Sequence, residues 1–74
     1  MTYFEIHKLI KERRWTELLR GLELGENELA FDSVQDIASC KAIAYSMNSD
    51  RSGRIYNFRV NKGDKKAVII VAES

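Results

Sequence analysis

This 74-residue chain has no proline, one cysteine, one histidine, one tryptophan and only four glycines. Each shortage excludes something. Without prolines there is no proline-rich linker, and no internal repeat or low-complexity tract marks a boundary, so residues 1–74 read as a single small domain. One cysteine cannot form an internal disulfide. His7 with Cys40 cannot complete a tetrahedral zinc site either, because the carboxylates show no ligand spacing, so neither a metal nor another cofactor is expected. The longest apolar run, Ala67 to Ala72, falls far short of the ~20 residues of a membrane span. At the N-terminus Glu5, His7 and Lys8 interrupt the apolar residues, unlike a signal peptide. With a lone thiol, the expectation is a cytoplasmic protein with no membrane partner. A glycine-rich phosphate loop, a nucleophile elbow and a paired-carboxylate pattern are all missing, so no catalytic residue is assigned and an enzyme is not expected.

What is present is a thin core. A chain this short buries only roughly 60% of its unfolded surface, yet 45% apolar and 31% charged residues make it too hydrophobic and too balanced to be disordered. Domains of this size commonly add a disulfide, a metal or a partner subunit. With the first two lacking, a homodimer is expected.

The formal net charge of +1 conceals two blocks of opposite sign. Residues 23 to 36 carry Glu23, Glu26, Glu28, Asp32 and Asp36 without a cation, whereas residues 51 to 66 carry Arg51, Arg54, Arg59, Lys62, Lys65 and Lys66 against Asp64 alone.

Thr2 followed by Glu5 is a capping-box signature and predicts a helix over 3–13. Ile6, Leu9 and Ile10 share a face, but Trp15, Leu18, Leu19 and Leu22 fall opposite it if one period continues. Two helices, 3–13 and 15–21, resolve the conflict, with a phase reset near Arg13-Arg14 and Gly21 as a left-handed cap. A single helix buried on both sides is the alternative. A turn and a short strand at Glu28 to Phe31 follow. Asp32 or Ser33 then caps a helix over 33–48, with Asp36 at the positive end of its dipole. That helix has a broad apolar arc, including Val34, Ile37, Cys40, Ile43, Ala44, Tyr45 and Met47, and should pack against more than one surface, with Ala38, Ala42 and Ala44 allowing close approach. Asn48 to Gly53 ends it, and strands 54–60 and 66–72 form a hairpin. The first strand alternates. The second, Ala67 to Ala72, does not, which requires a central position or cover on both faces; cover by a second copy makes Val68, Ile69, Ile70 and Val71 the expected dimer interface. The expected fold is α+β: an N-terminal helical pair, a short strand, a central helix and a C-terminal β-hairpin, with the helices on one sheet face.

Cations on a two-stranded ribbon can neutralise phosphates, and Tyr56 and Phe58 lie between Arg54 and Arg59 as in surfaces that stack bases. Both aromatics are assigned to the core instead, because each buries a large apolar area that a short chain can scarcely leave in solvent. A pI of about 7.9 also falls short of a dedicated nucleic-acid binder. A winged helix would need a helix-turn-helix within residues 32–53, where one continuous helix fits better. Ser52-Gly53-Arg54 reads as a plain turn rather than an anion-binding nest. Cys40 reads as a buried inert thiol, and His7 as a solvent-facing residue.

Leu22-Glu23-Leu24-Gly25-Glu26, Ser33-Val34, Ala44-Tyr45 with Asn48, Gly53-Arg54, Phe58-Arg59-Val60 and the Gly63 hairpin resemble short uncharacterised proteins of phages and bacterial mobile elements. The resemblance implies a bacterial setting and nucleic-acid contact through the basic hairpin. The chain departs from that pattern at its end, where Ile69-Ile70-Val71-Ala72 replaces a terminal aromatic and arginine. Two functions follow as expectations: a non-enzymatic homodimeric interaction or adaptor module, or a nucleic-acid-binding regulator using Arg51, Arg54, Arg59, Lys62, Lys65 and Lys66.

Overall fold

The computed structural model describes residues 2–49, 53–61 and 63–73, Val60 by its backbone alone. In chain order the elements are α1 (Tyr3–Lys11), α2 (Trp15–Gly21), β1 (Gly25–Ala30), α3 (Val34–Ser49), β2 (Ile55–Val60) and β3 (Ala67–Glu73). The fold is α+β, with the helices packed on one face of a three-stranded antiparallel sheet. Among the described residues no helix is long and apolar enough to cross a membrane.

Thr2 starts α1 as read from the sequence, its Oγ1 accepting the Glu5 N–H at 3.2 Å. The phase reset between the first two helices is Arg13, whose φ of 56° lies in the left-handed region. A non-glycine residue resists that conformation by about 1 kcal/mol or more. The turn is nonetheless closed by Arg13 N–H to Ile10 C=O at 3.1 Å and Arg14 N–H to Leu9 C=O at 3.0 Å. As a result Ile10 on α1 and Trp15, Leu18 and Leu19 on α2 enter one core. The expected left-handed cap at Gly21 is corrected. Gly21 is the last residue of α2, the cap is Leu22 in an extended conformation, and the positive φ falls at Gly25 (99°), where β1 begins.

β1 is longer than the sequence suggests, starting at Gly25 rather than Glu28. The side-chain amide of Asn27 folds the preceding turn back: Oδ1 accepts the Glu23 N–H at 3.2 Å, and Nδ2 donates to the carbonyls of Glu23 at 2.8 Å and Gly25 at 3.1 Å. Ser33 is the cap of α3, accepting the Asp36 N–H at 3.2 Å. On α3 only Asp36, Cys40 and Ala44 are buried. The broad arc is thus only partly covered: Val34 and Tyr45 are exposed, as are Ala38 and Ala42, so close approach is made at Ala44 alone of the three alanines.

The sheet order is β1-β3-β2, with β3 antiparallel to both neighbours. This central position accounts for the uninterrupted apolar run. Val68, Ile70 and Ala72 face the helices, together with Leu29 and Phe31 from the β1 side and Tyr56 from β2. Tyr56 is fully buried and Phe58 is packed against the core, as assigned from the sequence. Trp15 meets Phe31 with ring centroids 5.8 Å apart, joining helices to sheet.

Candidate interaction surfaces

Strand alternation places Glu26, Glu28 and Ala30 of β1, Ala67, Ile69 and Val71 of β3, and Ile55, Asn57 and Arg59 of β2 on the face opposite the helices. Along the middle of this open face Val71 and Ala67 are each 8% exposed and Ile69 is half-buried, while Ile55 is 48% exposed. Cover for the middle comes partly from the chain itself. Arg59 Nη1 lies 3.2 Å from Glu26 Oε1, although β1 and β2 are separated by about 10 Å across β3. Arg59 stands opposite Ile69 and Glu26 opposite Val71, so the pair passes over β3 between those two residues. Both partners are well exposed and the bridge contributes little to stability.

The expected dimer interface is therefore divided. Ile69 and Val71 belong to the open face, but Val68 and Ile70 are 3% and 0% exposed inside the protomer's own core. For these two the expectation is corrected, because side chains on a strand alternate and the helices already occupy their side.

The six cations of the basic segment do not form one surface. Arg54 is half-buried, and its Nη1 donates to the backbone carbonyls of Arg20, at 3.3 Å, and of Leu22. These carbonyls end α2, where the last turn lacks intrahelical donors and a cation suits the dipole. Arg54 is thus a tether between α2 and the entry to β2, a use of this cation that the sequence reading did not assign. Arg59 is paired with Glu26. Lys65 and Lys66 are exposed in the loop before β3. Arg51 and Lys62 lie outside the described residues, as does Ser52 of the Ser52-Gly53-Arg54 turn.

Two features were not legible as sites in the sequence. Asn48, at the end of α3, donates from Nδ2 to the Tyr56 carbonyl and accepts the Tyr56 N–H at Oδ1, both at 2.8 Å. Its amide replaces a neighbouring strand on the outer edge of β2. Tyr56 also donates its hydroxyl to the Leu19 carbonyl at 2.9 Å, so one residue links β2 to both α2 and α3. Asp36, the one buried charged side chain among the described residues, lies 3.2 Å from Arg13 Nε. An Asn or Asp in a cap region is the only signal the sequence carries for either.

Cys40 is fully buried, and desolvation pushes its thiol up to about 12. His7 is exposed and stacks on Tyr3 with centroids 6.3 Å apart. The stretch between β1 and β2 contains the single helix α3 rather than the helix-turn-helix of a winged fold. Compared with protein-family models, curated proteins and solved structures, the chain matches none.

Proposed function

We propose that the protein is a small non-enzymatic interaction module that self-associates as a homodimer through the open face of its sheet. The observation that carries this reading is the one-sided packing. The helices of the described residues lie on one face, while the other presents Ile55 and the half-buried Ile69, with the nearly covered Val71 beside them, between an acidic rim on β1 and a basic one on β2. A two-fold axis parallel to β3 sets the Glu26 and Glu28 rim of one copy over Arg59 of the other, exchanging the internal bridge for two between copies. An axis across the strands would set acid over acid, so charge selects the first arrangement.

Three strands of this length offer a footprint of roughly 15 by 20 Å. That is well below the ~800 Å² per partner of a standard interface, so the association is weak and reversible. Support for protein contact over nucleic-acid contact comes from Arg54 and Arg59, which the chain engages with its own carbonyls and carboxylate. The deeply buried thiol of Cys40 favours a non-catalytic role, and a single free thiol suits a cytoplasmic setting.

The test is sedimentation equilibrium up to millimolar protein, on the parent chain and on Ile69→Thr, which keeps strand propensity while removing apolar contact. A dimer that weakens at least about tenfold in the variant supports the reading. A parent chain that stays monomeric throughout rejects it.

A further inference from the structure

The outer edge of β1 is open. Phe31 N–H donates to the Lys66 carbonyl at 2.8 Å, which fixes the phase of the ladder. Residues in an antiparallel pair alternate between facing their partner strand and facing away. With Leu29 opposite Val68 and Asn27 opposite Ile70, it is Glu26, Glu28 and Ala30 whose backbone N–H and C=O groups point outward. Among the described residues no turn, loop or side-chain group bonds to them. The β2 edge is not equivalent, because the Asn48 amide occupies both outward groups of Tyr56.

Beside this edge α1 stands away from the sheet. A solvent-open hollow of about 180 Å³ is lined by the apolar Ile6, Leu22 and Leu29 and, over more of its surface, by polar groups of Gly21, Glu23, Asn27 and Glu28. Past Ile6 it gives way to a smaller one reaching Tyr3, Ile10 and Ala30. The larger hollow's volume exceeds the ~150 Å³ in which a benzene fits, so it has room for a side chain whose apolar body meets Ile6 and Leu29.

We infer that the β1 edge and this hollow form a docking site for an extended peptide in which basic and apolar residues alternate, added as a fourth strand. The period of two decides the pattern. Side chains of an added strand on the helix side enter the hollow, and those on the open side lie beside Glu28, which has no cationic partner among the described residues, and Glu26, whose carboxylate they would share with Arg59. A second copy of β1 is a poor occupant, since two-fold pairing centred on Glu28 opposes it to its own copy and a shift toward Glu26 opposes Glu26 to Glu28. A β2 strand from another copy meets the Asn48 clamp, and head-to-tail pairing would not close. The backbone groups and the hollow of this site lie on the edge, while Glu26 and Glu28 are shared with the rim of the open face proposed for self-association.

The experiment is an amide chemical-shift titration of isotope-labelled Ile69→Thr protein with a capped peptide of alternating lysine and valine. Using this variant keeps binding separate from dimer formation. Shifts confined to Gly25–Ala30 and Tyr3–Ile10 are expected, with a glutamate-valine peptide giving none. Ala30→Pro removes one outward N–H without touching the β3 ladder, and should weaken binding about two- to tenfold. Methylating alternate backbone nitrogens of the peptide should do the same while leaving the protein intact. No shifts at millimolar peptide, shifts centred on Ile69 and Val71, or affinity unchanged by both Ala30→Pro and peptide methylation would overturn the proposal.

Discussion

The guanidinium of Arg13 stands 3.2 Å from the carboxylate of Asp36, and it does so from a left-handed backbone at φ 56°. One residue thus turns the chain between α1 and α2 and ties that turn to the first turn of α3. Asp36 is nearly buried while Arg13 is largely exposed, so the pair acts more as a latch than as a source of stability.

This relationship separates two substitutions. Arg13→Ala loses the ion pair and keeps the unfavourable φ, whereas Arg13→Gly loses the pair but relieves the backbone. We predict urea midpoints that place Gly above Ala by about 1 kcal/mol. Equal stability of the two variants would contradict a left-handed Arg13.

The Asn48 clamp makes a sharper prediction. Asn48→Asp keeps an acceptor for the Tyr56 N–H but turns a carboxylate oxygen toward the Tyr56 carbonyl, which it cannot serve as a donor. A loss of about 1–3 kcal/mol is expected in chemical denaturation. Tyr56→Phe, which removes the hydroxyl bond to the Leu19 carbonyl and leaves that carbonyl only the longer bond from the Leu22 N–H at 3.3 Å, should cost about 1 kcal/mol. Variants indistinguishable from the parent would show that β2 is held by side-chain packing alone.

Much of the fold was legible in local signals. Thr2 and Ser33 are caps that a helix start requires, and the clash of two apolar stripes around Arg13-Arg14 located the break between α1 and α2. The unbroken run from Ala67 to Ala72 left a central position and cover on both faces open, and β3 takes the central position. What escaped depends on tertiary partners. The start of β1 at Gly25 rests on pairing with β3 and on the Asn27 amide, and the use of Arg54 rests on carbonyls more than thirty residues earlier in the chain. A cation looks the same in sequence whether it meets a phosphate or a helix end.

Arg54 therefore gives a third prediction. Arg54→Ala should lower stability by about 1–2 kcal/mol through the uncapped end of α2. Lys65→Ala and Lys66→Ala should leave stability within about 0.5 kcal/mol. Thermal melts of the three variants provide the check. Equal effects would mean that Arg54 is an ordinary solvated cation.

Cys40 predicts a pH dependence. Burial raises the thiol from 9.0 to about 12 in the folded chain, so the neutral form is favoured there. Its contribution to stability is complete below pH 9 and is lost as pH rises toward 12, at up to about 1.4 kcal/mol per pH unit. Cys40→Ala should flatten that alkaline slope relative to the parent, and a thiol reagent should modify the native protein far more slowly than the urea-unfolded chain. Fast native labelling would contradict the buried, neutral thiol.

Self-association of two copies through the open sheet face is the function proposed for this protein. It is tested most directly by an isotope-filtered nuclear Overhauser experiment on a mixed sample, one half labelled and the other unlabelled, at millimolar concentration. Intermolecular contacts between the methyl groups of Ile69 and Val71 of one copy and those of the other are predicted. Contacts confined to the helices, or none at all, would contradict the account.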